Sequence, residues 1–113
     1  MRIKEKNQEI IIGEKIHTAE DIFSRIKGLM FRKDITGDGL LIRPCCSIHT
    51  FFMKFPIDAV FLDKSGKIIK ILKNLRPWRI SWFYPKANQV LELKAGTLPP
   101  AIKEGDVLIL CSN

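Results

Sequence analysis

The placing of short apolar runs between polar and turn-forming positions predicts a chain built mainly from short strands. Segments 40–42, 48–55, 57–62, 90–93 and 107–110 are brief apolar runs bounded by glycine, proline or Asp63-Lys-Ser-Gly66. Residues 2–17 read as a strand pair that turns at Lys6-Asn-Gln8. One stretch changes period. Ile22, Phe23, Ile26, Leu29 and Met30 recur at helical spacing, and Thr18 with Asp21 three positions later forms a capping box. This predicts a helix over about 18–33, stopped before Gly37-Asp-Gly39. Segment 67–75 is ambiguous. Its apolar positions fit an amphipathic helix slightly better, whereas its isoleucines and the hairpin turn before it favour a strand.

Three motifs follow one another between about residues 15 and 110. They are Gly28-Leu-Met-Phe-Arg32, then Ser47-Ile-His-Thr-Phe-Phe-Met-Lys-Phe-Pro-Ile-Asp-Ala-Val-Phe-Leu-Asp63, then Val90-Leu-Glu-Leu-Lys-Ala-Gly96 with Gly105-Asp106 after it. In that order they resemble the domain-of-unknown-function 192 family. The resemblance implies a small β-rich sandwich or barrel with one helix packed on it, makes 67–75 a strand, and implies no established reaction. The expected fold is mainly β: a single antiparallel β-sandwich or partly open barrel of about seven to nine strands. One N-terminal α-helix packs on it, and residues 1–113 form one domain.

Composition narrows the class. With 113 residues and 46% hydrophobic content, the chain can bury one core. No run is long enough to span a membrane, and no signal peptide is read at the N-terminus. Three cysteines, two of them adjacent, do not make a secreted disulfide framework. These features predict a basic, cytoplasmic protein. Phosphate-loop, dinucleotide, nucleophile-elbow and His-Glu-x-x-His signatures are absent, so no common enzyme class is announced and catalytic residues stay unassigned.

The second motif carries the polar residues that need explaining. As a strand through 48–55, His49 shares a face with Phe51, Met53 and Phe55. Beyond Pro56, Asp58 shares a face with Val60 and Leu62, while Ile57, Ala59 and Phe61 take the other. Asp58 is then a buried carboxylate that pairs with an arginine or ties down a neighbouring loop. On the helix, Arg25 and Arg32 fall on one stripe with Gly28 between them. Such a glycine costs about 1 kcal/mol in a helix and marks a close approach by backbone or ligand. The two arginines either neutralise internal acids (Asp58, Glu92 or Asp106) or clamp an anion. The leading function is a non-catalytic module that binds a small anionic ligand through Arg25, Arg32 and His49, oriented by Asp58 or Glu92. A hydrolase or isomerase using His49 and Asp58 is the weaker reading. Cys45-Cys46-x-x-His49 is poorly spaced for zinc, and no metal or cofactor is expected.

Charge adds a second surface. Residues 64–91 contain seven Lys or Arg and no acid, so the net charge of +7 resides in this segment. Within it, Lys73, Arg76, Trp78, Arg79 and Trp82 interleave cations with aromatics. That pattern suits single-stranded nucleic acid or an anionic membrane surface. It also suits a protein contact, or an edge strand kept soluble by lysines beside a cap of aromatics.

Overall fold

A computed structural model describes residues 1–35 and 37–112. Among the described residues, eight strands form two sheets, accompanied by one short helix. The small sheet holds β1 (Arg2–Glu5), β2 (Ile11–Gly13) and β8 (Leu108–Cys111), in the order β2-β1-β8. The larger sheet holds β3 (Ile16–Ala19), β4 (Gly39–Ile42), β5 (Ile57–Leu62), β6 (Ile68–Leu75) and β7 (Gln89–Lys94). Its order is β3-β4-β7-β5-β6, with only β3 and β4 parallel. The arrangement is a mainly β, mostly open sandwich, with no closed barrel among the described residues.

The strand readings at 57–62 and 90–93 match β5 and β7, and 67–75 is strand β6. β5 explains the architecture. All six of its residues are buried, so it is covered on both faces. Val60 and Leu62 join Ile3, Leu91, Leu93 and Leu108 in the core between the sheets. Ile57, Ala59 and Phe61 join Leu29, Ile48, Met53, Ala87 and Val90 on the opposite face. That second core is roofed by loops rather than by a sheet.

Two predicted elements are different in the structure. The helix α1 spans only Ile22–Lys27, with Asp21 rather than Thr18 as N-cap; the Asp21 carboxylate accepts from Ser24 N–H. Gly28 ends it at φ 48°, ψ −122°, a conformation that L side chains avoid. None of its residues is buried. The apolar stripe therefore does not seat a long helix on the core. Segment 48–55 is not a strand either. One bridge, His49 to Ile80, is all that remains of it, and Phe52 turns the chain at φ 62°. Side-chain bonding explains the change. Thr50 Oγ1 donates to Arg76 O at 2.6 Å and accepts from Arg79 N–H at 2.8 Å. The 76–79 loop thus takes the contacts that a neighbouring strand would have needed.

Candidate functional site

Glu92 occupies the central strand of the larger sheet, paired with Leu40 on one side and Ala59 on the other. Alternation along β7 turns Leu91 and Leu93 into the sandwich and Val90 and Glu92 toward the loop-covered face. Glu92 is 2% exposed, and its Oε1 has no hydrogen-bond partner. Burial pushes its carboxyl up to about 8, so it holds a proton at neutral pH.

A cavity of about 400 Å3 lies over this carboxyl. Ile22, Ile26, Met53 and Phe83 supply apolar wall, and Arg25, His49 and Glu92 supply the polar groups. Arg25 donates from Nη1 to Pro44 O at 3.1 Å, while its buried Nε has no partner. Arg25 and Glu92 take part in no ion pair among the described residues. His49 Nδ1 accepts Phe51 N–H at 3.2 Å, which leaves Nε2–H as the donor of a neutral ring. Two orphaned buried polar atoms thus belong to residues lining one largely apolar cavity, and both lack the partner that burial normally demands.

Gly28 lies against the Glu92 carboxyl at the end of α1. A β-carbon there would stand 3.6 Å from Glu92 Oε1. The space is adequate but the backbone is not, so Gly28→Ala is expected to lower stability by about 1–2 kcal/mol. Urea unfolding checks this, and an unchanged midpoint would show that the positive φ is not required.

Other candidates lie elsewhere. Arg32 is exposed, beyond the end of α1, and lines a neighbouring depression with His17 and Thr18. It does not share a helical stripe with Arg25, because Gly28 breaks the helix between them. Among the described residues Asp58 forms no ion pair with an arginine. Its carboxylate accepts backbone N–H groups of Asn74, Gly96 and Leu98 at 2.9, 3.0 and 3.3 Å. It ties the end of β6 and the loop after β7 to β5 and is not among the residues that line the cavity of His49. The pair therefore lacks the shared, accessible point that acid–base chemistry needs.

Cys45 and Cys46 line the cavity as free thiols, and burial raises the Cys45 pKa, which disfavours a reactive thiolate. Among the described residues no group of three His, Cys, Asp or Glu is placed to hold a metal. No helix among the described residues is long and apolar enough to cross a membrane.

Lys73, Arg76, Trp78, Arg79 and Trp82 are all exposed. Lys70 and Lys73 sit on β6, an edge strand of its sheet, where cations discourage edge-to-edge pairing. Sequence reasoning missed the roles of Ile22, Ile26 and Phe83. An apolar helical stripe reads as core, and only Gly28 signalled a close approach.

A family model for an uncharacterized group, domain of unknown function 192 (DUF192), matches residues 2–110. The chain belongs to the DUF192 family. Among its relatives is a UPF0127 protein of Thermococcus sibiricus, 34% identical over 91 residues. That match takes in 74% of this chain and 57% of the relative, so the chain spans little more than half of that protein's length. A UPF0127 protein of Pyrococcus furiosus is 33% identical over 110 residues, 91% of this chain and 90% of the relative. A crystal structure of a protein of unknown function from Novosphingobium aromaticivorans superimposes with a TM-score of 0.81 at 20% identity. It covers 97% of this chain and 84% of its own, and at that identity the likeness is one of fold alone. In this DUF192 chain the first motif ends the helix over the cavity, part of the second lines its wall, and the third contributes Glu92 to its floor.

Proposed function

We propose that this DUF192 domain is a non-catalytic binding module, and that its cavity takes a small organic acid with an apolar body. The orphaned Nε of Arg25 and Oε1 of Glu92 carry this reading. A ligand carboxylate would accept from the guanidinium and from the protonated Glu92 hydroxyl, meeting both unsatisfied groups at once. His49 would add a third donor. A volume of about 400 Å3 is within the range of small-molecule sites. Free thiols suit a reducing compartment, which fits action in the cytoplasm.

The test compares benzoate and hexanoate with benzyl alcohol and hexanol by thermal shift and calorimetry. The acids are expected to raise the melting temperature and the alcohols to leave it unchanged. Arg25→Met is expected to weaken acid binding by roughly tenfold or more, the loss of one charge-assisted bond. Affinity should also fall as pH rises through about 8, where Glu92 loses its proton and repels the anion. Equal responses to acids and alcohols, or none to either, would sink the proposal.

A further inference from the structure

The mouth of the cavity is surrounded by apolar side chains that a soluble surface would not ordinarily display. Ile22, Phe23 and Ile26 stand out from α1, and Ile22 and Ile26 line the cavity together with exposed Phe83. On the other side, Trp78, Ile80 and Trp82 follow one another along an exposed segment, Ile80 at 69% and Trp82 at 79%. The two sides are joined by a series of tilted and edge-on ring contacts. Phe31 meets Phe52 at 5.1 Å, Phe52 meets Trp78 at 4.8 Å, and Phe51 links Trp78 to His49 at the cavity wall. Together they make a collar beside the cavity.

The backbone holds this collar out under strain. Phe31, Phe52 and Trp78 all have positive φ, at 64°, 62° and 66°. Bulky L residues rarely accept that conformation, and these three, with Phe31 and Trp78 each touching Phe52, are presented to solvent rather than buried. Hydrogen bonds keep them there: Phe31 N–H donates to Phe52 O, and Trp78 N–H donates to Thr50 O.

Charge selects the partner. Segments 39–57 and 64–91, which supply most of the collar, contain no Asp or Glu. Lys54, Arg76 and Arg79 are exposed within them, and Lys27 at the end of α1. The nearby Asp21 is engaged in capping Ser24. A second copy of the chain would bring cations against cations. Nucleic acid would stack on the aromatics but offers nothing to Ile22, Ile26 and Ile80. An anionic bilayer meets every part: indoles at the interface, aliphatic and phenyl groups in the acyl boundary, and cations on lipid phosphates. We propose that the collar docks on anionic membrane surfaces and sets the cavity mouth at headgroup level. This holds whichever ligand the cavity takes.

The experiment pellets the full chain with vesicles of phosphatidylcholine alone or with phosphatidylglycerol added. Partition onto the anionic vesicles is expected to exceed that onto neutral ones by roughly tenfold or more, and to fall steeply with salt. Tryptophan emission should shift to the blue on binding. Phe52→Gly and Trp78→Gly relieve the strained backbone, so they should keep or raise thermal stability while reducing partition by roughly tenfold. Ile80→Ser with Trp82→Ser, at positions without positive φ, should reduce it as well. Equal pelleting with neutral vesicles, or none at low salt, would overturn the proposal. So would glycine variants that bind undiminished, tighter binding to single-stranded oligonucleotide than to anionic vesicles, or a dimer that these variants dissociate.

Discussion

Asp58→Ala is expected to lower the unfolding free energy by about 3–5 kcal/mol, the largest effect of a single substitution outside the apolar core. The carboxylate is 2% exposed and accepts three backbone N–H groups, two from the loop after β7 and one from Asn74 at the end of β6. Removing it leaves those donors without partners in a space that water does not readily reach, each costing about 1–3 kcal/mol less whatever relaxation recovers. A domain has only about 5–15 kcal/mol to lose. Asp58→Asn should fall between, because its amide oxygen can serve Gly96 and Leu98 or Asn74, and the amide nitrogen then faces a donor. The expected order of urea midpoints is native, then Asn, then Ala. Equal midpoints for native and Ala would show that Asp58 does not anchor these segments. The substitution also reaches the collar, because Asn74, at φ 53°, precedes the loop that presents Trp78.

Glu92→Gln is expected to remove a pH dependence of stability that the native chain shows between about pH 4.5 and 8. The unfolded chain ionises this group near 4.5, and burial raises it to about 8 in the folded state. Between those values the folded protein holds one proton more than the unfolded chain, so stability falls as pH rises. Below about 4.5 both states are protonated; above about 8 both are ionised and the loss is complete. At 1.36 kcal/mol per unit the loss is at most about 5 kcal/mol. Glutamine keeps the shape and cannot ionise, so its stability–pH curve should lack this slope. Parallel curves for the two proteins would show that Glu92 is already charged or solvated in the fold.

Particular residues show how far the sequence was legible. The alternation of β5 was readable, and it places Val60 and Leu62 in one core and Ile57, Ala59 and Phe61 in the other. Asp58 was readable as a buried acid that needs donors. The donors were not: they are N–H groups about 16, 38 and 40 positions away, and a backbone group carries no mark in the sequence. The apolar run at 48–55 looked like a strand because local pattern is silent about hydrogen-bond partners. Thr50 bonds to the 76–79 loop instead. The apolar stripe of α1 looked like core because periodicity reports amphipathicity and not what the apolar face meets.

By itself the sequence determined the fold class, the positions of the central strands, the concentration of positive charge in one acid-free segment, and a glycine, Gly28, that marks a close approach. The charge is read directly from residue types, and the strands and the glycine rest on local patterning and short-range sterics, which neighbouring residues set among themselves. Only the tertiary structure decided that Arg25, His49 and Glu92 line one cavity, that Arg32 and Asp58 stand apart from it, and that the helix and the 78–83 segment form one exposed collar. Those outcomes depend on which distant segments meet across the sheet. That is a matter of global packing and of buried polar groups finding partners, which no local pattern encodes.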